Sequence, residues 1–295
     1  MFKLPDSLNN PMVYIFDGKK EAGEIKASLK KKIFKLKKKP VLELVLVGDD
    51  SVNESYLTQL QKIALELEVR LSIHRFGNCV RWEKMAEYFT RKNNNEEIKG
   101  ILVQISPSCS LFSKREEVIN LLKPEKDSDF LGEIFFKDKN RLPSVCQAVL
   151  IAINKASEVL SFHSQWVNTL VIGNQGFWGR RIQQTLINQG FENVAGIDKE
   201  TIDLKLACTE ADIIISCTGQ PGLIKRPMVK KGAVVIDVGV SIPEHRYNSG
   251  PRADRVIGDV DFRSVSRVAG FITPVPGGIG PLSTILAFKN LVGRN

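Results

Sequence analysis

Histidine is scarce in this sequence: there are three in 295 residues, His74, His163 and His245, far apart along the chain. That spacing argues against a histidine-based metal site, although aspartate and glutamate ligands stay open; no metal is expected. Cysteine is sparse too. Cys79, Cys109, Cys146, Cys208 and Cys217 are scattered, odd in number and form no C-x-x-C pair. Neither a zinc site nor a disulfide framework is indicated, and a reducing, cytoplasmic setting is the simple expectation. No apolar run approaches the ~20 residues of a membrane span. The opening MFKLPDSLNN carries no signal-peptide hydrophobic stretch, so no membrane association is expected. Zinc-finger, helix-turn-helix and aromatic RNA-binding patterns are missing as well, which leaves no support for a nucleic-acid partner.

What is present reads as an ordinary globular chain, with 43% hydrophobic and 25% charged residues and length enough for about two domains. The formal net charge is +9. Much of that excess sits at Lys30–Lys32, Lys35 and Lys37–Lys39, beside Ile25, Leu29, Ile33 and Leu36 at helical spacing. The pattern predicts an amphipathic helix over 19–39 with a solvated lysine face; a polyanionic partner is the alternative.

Strand patterns fall at Met12–Phe16, Val41–Val47, Val69–Phe76 and Ile98–Ile105. Helical patterns alternate with them at Asn53–Glu68, Glu83–Arg91 and Lys114–Leu122, with Gly48–Asp50 as a turn. This alternation predicts one open parallel sheet. Residues 125–142 read as loop, and a helix from Pro143 to about Leu160 links to a second domain. Further on, Ala211–Ser216 and Ala233–Val240 read as buried strands, the latter carrying Asp237 near the ligand edge of its sheet. Pro243–Arg255 reads as a polar hairpin or loop, and Leu282–Val292 as a closing helix.

Residues 166–198 are the most informative stretch. Leu170–Ile172 is a short apolar run ending at Gly173; Gly176 and Gly179 recur, and Ile182, Leu186 and Ile187 follow at helical spacing. Asn193–Ile197 is a second strand, ending at Asp198, 25 residues after Gly173. Strand, glycine turn, helix and strand make a relative of the dinucleotide fingerprint, in which glycine lets the backbone approach a pyrophosphate at a helix N-terminus. Asp198 falls about where an acidic residue holds a ribose 2′-hydroxyl. A glycine-bearing turn in another α/β protein would give the same pattern.

Several motifs occur in a recognisable order: VLVGDD followed by Tyr56, KGILVQ at 99–104, PEKDSD at 124–129, ADIIISCTGQPGLI at 211–224, VIDVGV at 235–240, GDVDF at 258–262 and ITPVPGGIGP at 272–281. Together they resemble the methylenetetrahydrofolate dehydrogenase/cyclohydrolase family over nearly the whole chain. The resemblance implies an α/β homodimer of two-domain subunits. An open parallel-sheet domain, 1–145 completed by 272–295, would hold the folate. A Rossmann domain, 146–271, would hold NADP or NAD. It implies hydride transfer from 5,10-methylenetetrahydrofolate to the nicotinamide, then hydrolysis of the methenyl product to 10-formyltetrahydrofolate, with a lysine–glutamine pair moving the proton.

By that resemblance Tyr56 stacks on the folate ring system, Gln104 partners the lysine, Asp129 binds the pterin edge, and Pro276, Gly277 and Gly278 form the substrate-side loop. On the cofactor side it implies Gly173, Asn174, Gln175, Gly179, Asp198, Thr218, Gly219 and Val240. Taken singly, Tyr56, Gln104, Asp129 and the Pro-Gly-Gly stretch also read as a packing residue, a strand-end cap and two turns.

Departures from the family pattern change the expected chemistry. The lysine belongs four residues after Tyr56, where Leu60 stands; Lys62 lies about 200° around the helix from it. The family's PCTPxG is kept only at Pro143, and KDVDG becomes KDSDF, with Phe130 in place of the glycine. In the cofactor turn Asn174 and Gln175 replace an arginine and a serine, while Arg180 and Arg181, just past Gly179, read as solvent-facing. Asp198 repels a 2′-phosphate and so tilts the choice toward NAD. The leading expectation is a methylenetetrahydrofolate dehydrogenase with its cyclohydrolase step in doubt. The alternatives are an impaired family relative acting as a folate- or nucleotide-binding partner subunit, and a quinate/shikimate-type dehydrogenase.

Overall fold

In the computed structural model, which describes residues 13–48, 51–198, 203–241 and 256–293, the apolar runs form two parallel sheets. The elements are β1 (Tyr14–Ile15), α1 (Gly18–Phe34), β2 (Val41–Val47), α2 (Ser51–Leu67), β3 (Arg70–Phe76), α3 (Trp82–Asn93), β4 (Ile98–Ile105), α4 (Arg115–Ile119), α5 (Ser144–Leu160), β5 (Thr169–Ile172), α6 (Phe177–Asn188), β6 (Val194–Ile197), α7 (Leu204–Glu210), β7 (Ile213–Ser216), β8 (Val234–Asp237), α8 (Phe262–Val265), β9 (Phe271–Ile272) and α9 (Ile279–Val292). The chain divides into two units, Met1–Glu21 with Val145–Ser283, and Ala22–Ser144 with Thr284–Asn295.

The second of these units carries a three-stranded sheet, ordered β3-β2-β4 and wholly parallel. All seven residues of β2 are buried, as a central strand covered on both faces requires. Val45 and Val47 pack with Met85, Tyr88 and Phe89 of α3. Glu43, in the same strand, is 1% exposed and is answered by Lys92 Nζ at 2.7 Å and by the Tyr88 hydroxyl. A buried carboxylate is tolerated only with such partners.

The other unit carries a six-stranded parallel sheet ordered β1-β9-β8-β7-β5-β6. Its five strands after β1 have the doubly wound order in which β5 lies between β6 and β7. Strand order therefore reverses between β5 and β7, and a ligand crevice is expected at their carboxyl ends. Strands β5, β7 and β8 are buried throughout.

Four expectations change. The opening strand does not join the first sheet. Tyr14 and Ile15 pair with Phe271 and Ile272 of β9, and Tyr14 stacks on Phe271 with ring centroids 5.4 Å apart. For the same reason residues 272–283 stay with the six-stranded unit, and only 284–295 join the other. Helix α1 stops at Phe34 rather than Lys39, because its buried stripe ends with Leu29 and Ile33 while Leu36 is 38% exposed. Strand β8 ends at Asp237, where the chain turns out of the sheet, leaving Val240 44% exposed. The Asp49–Asp50 turn and the 243–255 loop lie outside the described residues. Among the described residues no helix is long and apolar enough to cross a membrane.

Candidate functional site

In the three-stranded unit, α2 sets Tyr56 and residue 60 one turn apart on one helix face. Leu60 is fully buried at 0% exposure, while Lys62 is exposed and lies on the side of Glu66. Gln104 stands near the carboxyl end of β4, opposite Leu46 of β2. Asp129 is reached from the far edge of β4. Ile101 N donates to Lys126 O at 2.7 Å and Ser128 N to Ile101 O at 3.0 Å, so 126–128 runs along the strand. The Asp127 carboxylate then bends the chain by accepting Asp129 N and Gly132 N at 3.1 and 2.8 Å.

Asp129 is 4% exposed, and its Oδ1 accepts Ser144 N at 3.0 Å. Burial, and then the negative charge of Asp129, push the Tyr56 hydroxyl above its usual range, so these two side chains are electrostatic neighbours. Phe130 takes a left-handed backbone, with φ +52°. A non-glycine residue there costs about 1–2 kcal/mol. Its ring packs on Phe135 at 5.0 Å.

In the six-stranded unit, the turn after β5 is built around three glycines. Gly173 has φ +83°, which favours glycine. Its N–H and that of Asn174 donate to Ile197 O at 2.8 and 3.2 Å, and this brings Asp198, half-buried, beside the turn. Gly176 N donates to Gly173 O at 2.9 Å and caps α6 without a side chain. A Cβ at Gly179 would lie 2.0 Å from Gly173 O. Such a cradle, at the start of a 12-residue helix whose amides point outward, suits a diphosphate.

Gly179→Ala is expected to weaken dinucleotide binding by more than about tenfold and to destabilise by about 1–3 kcal/mol, because every clashing atom is backbone. Gly280→Ala, with nothing within 4 Å of its Cβ, is the harmless control. Calorimetric titration and thermal melts of both variants check this.

Asn174 is engaged locally, its Nδ2 donating to Gln183 Oε1 at 3.3 Å; Gln175 is exposed. Arg181 does not face solvent. It is 6% exposed, donates to Phe177 O at 3.2 Å and lies 3.8 Å over the Phe177 ring, because the helix turns that position inward.

Across the strand reversal a Cβ at Gly173 would meet Cys217 O at 3.0 Å, so the β5 and β7 turns touch. Thr218 and Gly219 follow β7, Gly219 exposed with φ +68°. Pro276 is exposed, Gly277 has φ +117°, and Gly278 packs so tightly on Gly18 that a Cβ there would lie 1.8 Å from Gly278 O. Pro276–Gly278 belongs to the six-stranded unit. Asp259 and Ser216, buried under the β7 turn, carried no expected role; the only signal was an acidic residue in the GDVDF motif.

The catalytic-domain model of tetrahydrofolate dehydrogenase/cyclohydrolase matches residues 16–129, and its NAD(P)-binding-domain model matches 148–294. A bifunctional protein FolD of Moorella thermoacetica is 31% identical over 286 residues, covering 94% of this chain and 97% of that one. The structure of the Campylobacter jejuni FolD methylenetetrahydrofolate dehydrogenase/cyclohydrolase superposes with a TM-score of 0.82 at 26% identity, covering 96% and 98% of the two chains. That of the Trypanosoma brucei enzyme, complexed with NADP cofactor and inhibitor, gives 0.84 at 26%, covering 96% and 97%. With both family models matched in order and the relatives covered almost end to end, this chain belongs to the tetrahydrofolate dehydrogenase/cyclohydrolase family.

Proposed function

We propose that this protein oxidises 5,10-methylenetetrahydrofolate to 5,10-methenyltetrahydrofolate with NAD or NADP and has lost the hydrolysis that follows. The observation that carries this reading is Tyr56 kept beside Asp129 while Leu60 fills the place of the proton-transfer lysine. Tyr56 offers a ring for stacking the folate, Asp129 a carboxylate for the pterin edge, and Gln104 an amide at the strand end. Hydride transfer needs the reacting carbons held face to face and water excluded, which these groups serve without moving a proton. The bound dinucleotide supplies the hydride acceptor, cradled at Gly173, Gly176 and Gly179 with Asp198, Thr218, Gly219 and Val240 around it.

The test is a spectrophotometric assay with methylenetetrahydrofolate and either dinucleotide. Appearance of reduced nicotinamide in proportion to protein is expected; its absence with both dinucleotides overturns the reading in favour of a binding subunit. NAD is expected to bind more tightly than NADP. Asp198 repels a 2′-phosphate, and Arg181 is already occupied on Phe177. Calorimetry at one salt concentration decides this, and tighter NADP binding that disappears in Arg180→Ala or Arg181→Ala would reverse the preference.

A homodimer is proposed as well. Strand β6 closes one edge of the six-stranded sheet, and an edge strand invites pairing. A light-scattering mass near one 32.9 kDa chain at micromolar concentration contradicts it.

A further inference from the structure

We propose that Asp259 is a positioning residue for the cofactor half-site, its carboxylate tying down the Cys217–Gly219 turn that follows β7. The proposal rests on reading that half-site as the dinucleotide site. Three donors converge on one oxygen: Ser216 Oγ at 2.8 Å, Thr218 N at 2.7 Å and Thr218 Oγ1 at 2.9 Å all reach Asp259 Oδ2. Asp259 is 0% exposed, and its other oxygen, Oδ1, is buried with no hydrogen-bond partner. The donors to Oδ2 are hydroxyls and an amide, not a cation. A buried carboxylate with half its acceptor capacity unused is costly, and such groups are kept where they serve a function.

The carboxylate is itself held from behind. Asp259 N donates to Asp237 Oδ1 at 3.0 Å, and the same Asp237 carboxylate accepts Gly239 N at 3.0 Å and Val260 N at 2.9 Å. A Cβ at Gly239 would lie 2.0 Å from Asp259 Oδ1, so the backbone after β8 closes directly on the carboxylate. A further tie runs from Ser241 Oγ to Gly219 O at 2.8 Å. The turn so fixed is the one whose Cys217 carbonyl touches Gly173, at the strand reversal where doubly wound sheets take their ligand. Asp259 therefore links the end of β8 to the turn after β7 without facing the ligand itself.

Asp259→Ala is expected to raise the dinucleotide Kd about tenfold while the folate KM stays within about twofold, since only the turn loses its anchor. The Thr218 amide, protected from hydrogen exchange in the wild type, is expected to exchange freely in the variant. Asp259→Asn keeps one acceptor oxygen and is expected to recover most of the affinity. A merely structural role would lower the melting temperature and leave the Kd of the folded fraction unchanged. If Asp259→Ala does not fold, Ser216→Ala removes one of the three donors and is expected to raise the dinucleotide Kd about threefold.

Wild-type affinity in folded Asp259→Ala or in Ser216→Ala, or an unprotected Thr218 amide in the wild type, overturns the role of Asp259. Wild-type protein that binds neither NAD nor NADP overturns instead the cofactor reading on which the proposal rests.

Discussion

Purified protein is expected to hydrolyse 5,10-methenyltetrahydrofolate no faster than buffer does. A positioned proton-transfer group contributes about 10²–10⁴-fold to such a step, and the position that would hold it is Leu60. Among the described residues of α2, neither Lys62 nor Tyr56 substitutes. Lys62 is exposed on the other side of α2, and Tyr56, its hydroxyl raised above the usual range by burial and by Asp129, is no base at neutral pH. Loss of methenyl absorbance at a rate proportional to protein would sink this expectation. Leu60→Lys is the constructive test. At 0% exposure the new ammonium is desolvated and its pKa lowered, which is what proton transfer at neutral pH requires. The same burial removes a packed leucine, and a loss of about 2–5 kcal/mol of stability is expected alongside any gain in hydrolysis. Thermal melts and the methenyl assay on one preparation separate the two effects.

The second large effect concerns pH. Burial first, opposed by its backbone donors and then reinforced by the negative Asp259, raises the Asp237 carboxyl from 3.8 to about 7. The folded state therefore binds the proton more tightly than the unfolded chain does. That contribution is fully present below about pH 4 and is lost as pH rises through about 7, roughly 4 kcal/mol across the window for a side chain only 2% exposed. The facing groups are Asp259 and the Cys217 thiol, itself raised by burial, by Asp259, by Cys146 and by Asp237.

Glu43, Glu54, Glu66 and Asp138 act in the opposite sense. Their carboxyls are lowered, by Lys92, Ser72 and Tyr88 at Glu43, Arg75 at Glu54, Lys26 at Glu66 and the backbone of Asn140 at Asp138, and what they contribute is lost as pH falls through the carboxylate range. Denaturant unfolding of the wild type and of Asp237→Asn at about pH 5 and about pH 8 is expected to show the wild type losing stability relative to the variant at the higher pH, because the amide does not titrate. Parallel lines for the two proteins would show that Asp237 does not carry the effect.

Much of this molecule could be read from local pattern. The all-apolar run of β2, the helical stripe of α2 and the glycine turn before α6 each declare themselves within a few residues, because strand and helix periods and the need for glycine at positive φ are properties of the chain segment itself. The substitution at Leu60 is visible in the same way, as one residue at a fixed offset from Tyr56. Assembly is another matter. Tyr14 and Ile15 pair with residues near the other end of the chain, and no periodicity encodes a strand's partner. Arg181 reads as one more surface cation until the rotation of α6 turns it onto Phe177. Nor does anything local mark Phe130 as left-handed, with φ +52°.

Asp259 gathers Ser216 and Thr218, some forty residues earlier in sequence, and leans on Asp237, some twenty earlier. By itself the sequence determined which segments are strands, helices and glycine turns, and that a leucine stands one helical turn after Tyr56. Which polar groups meet beneath the cofactor turn was decided only by the strand order β8-β7-β5, since that order sets which strand ends, remote in sequence, become neighbours in a space water does not enter.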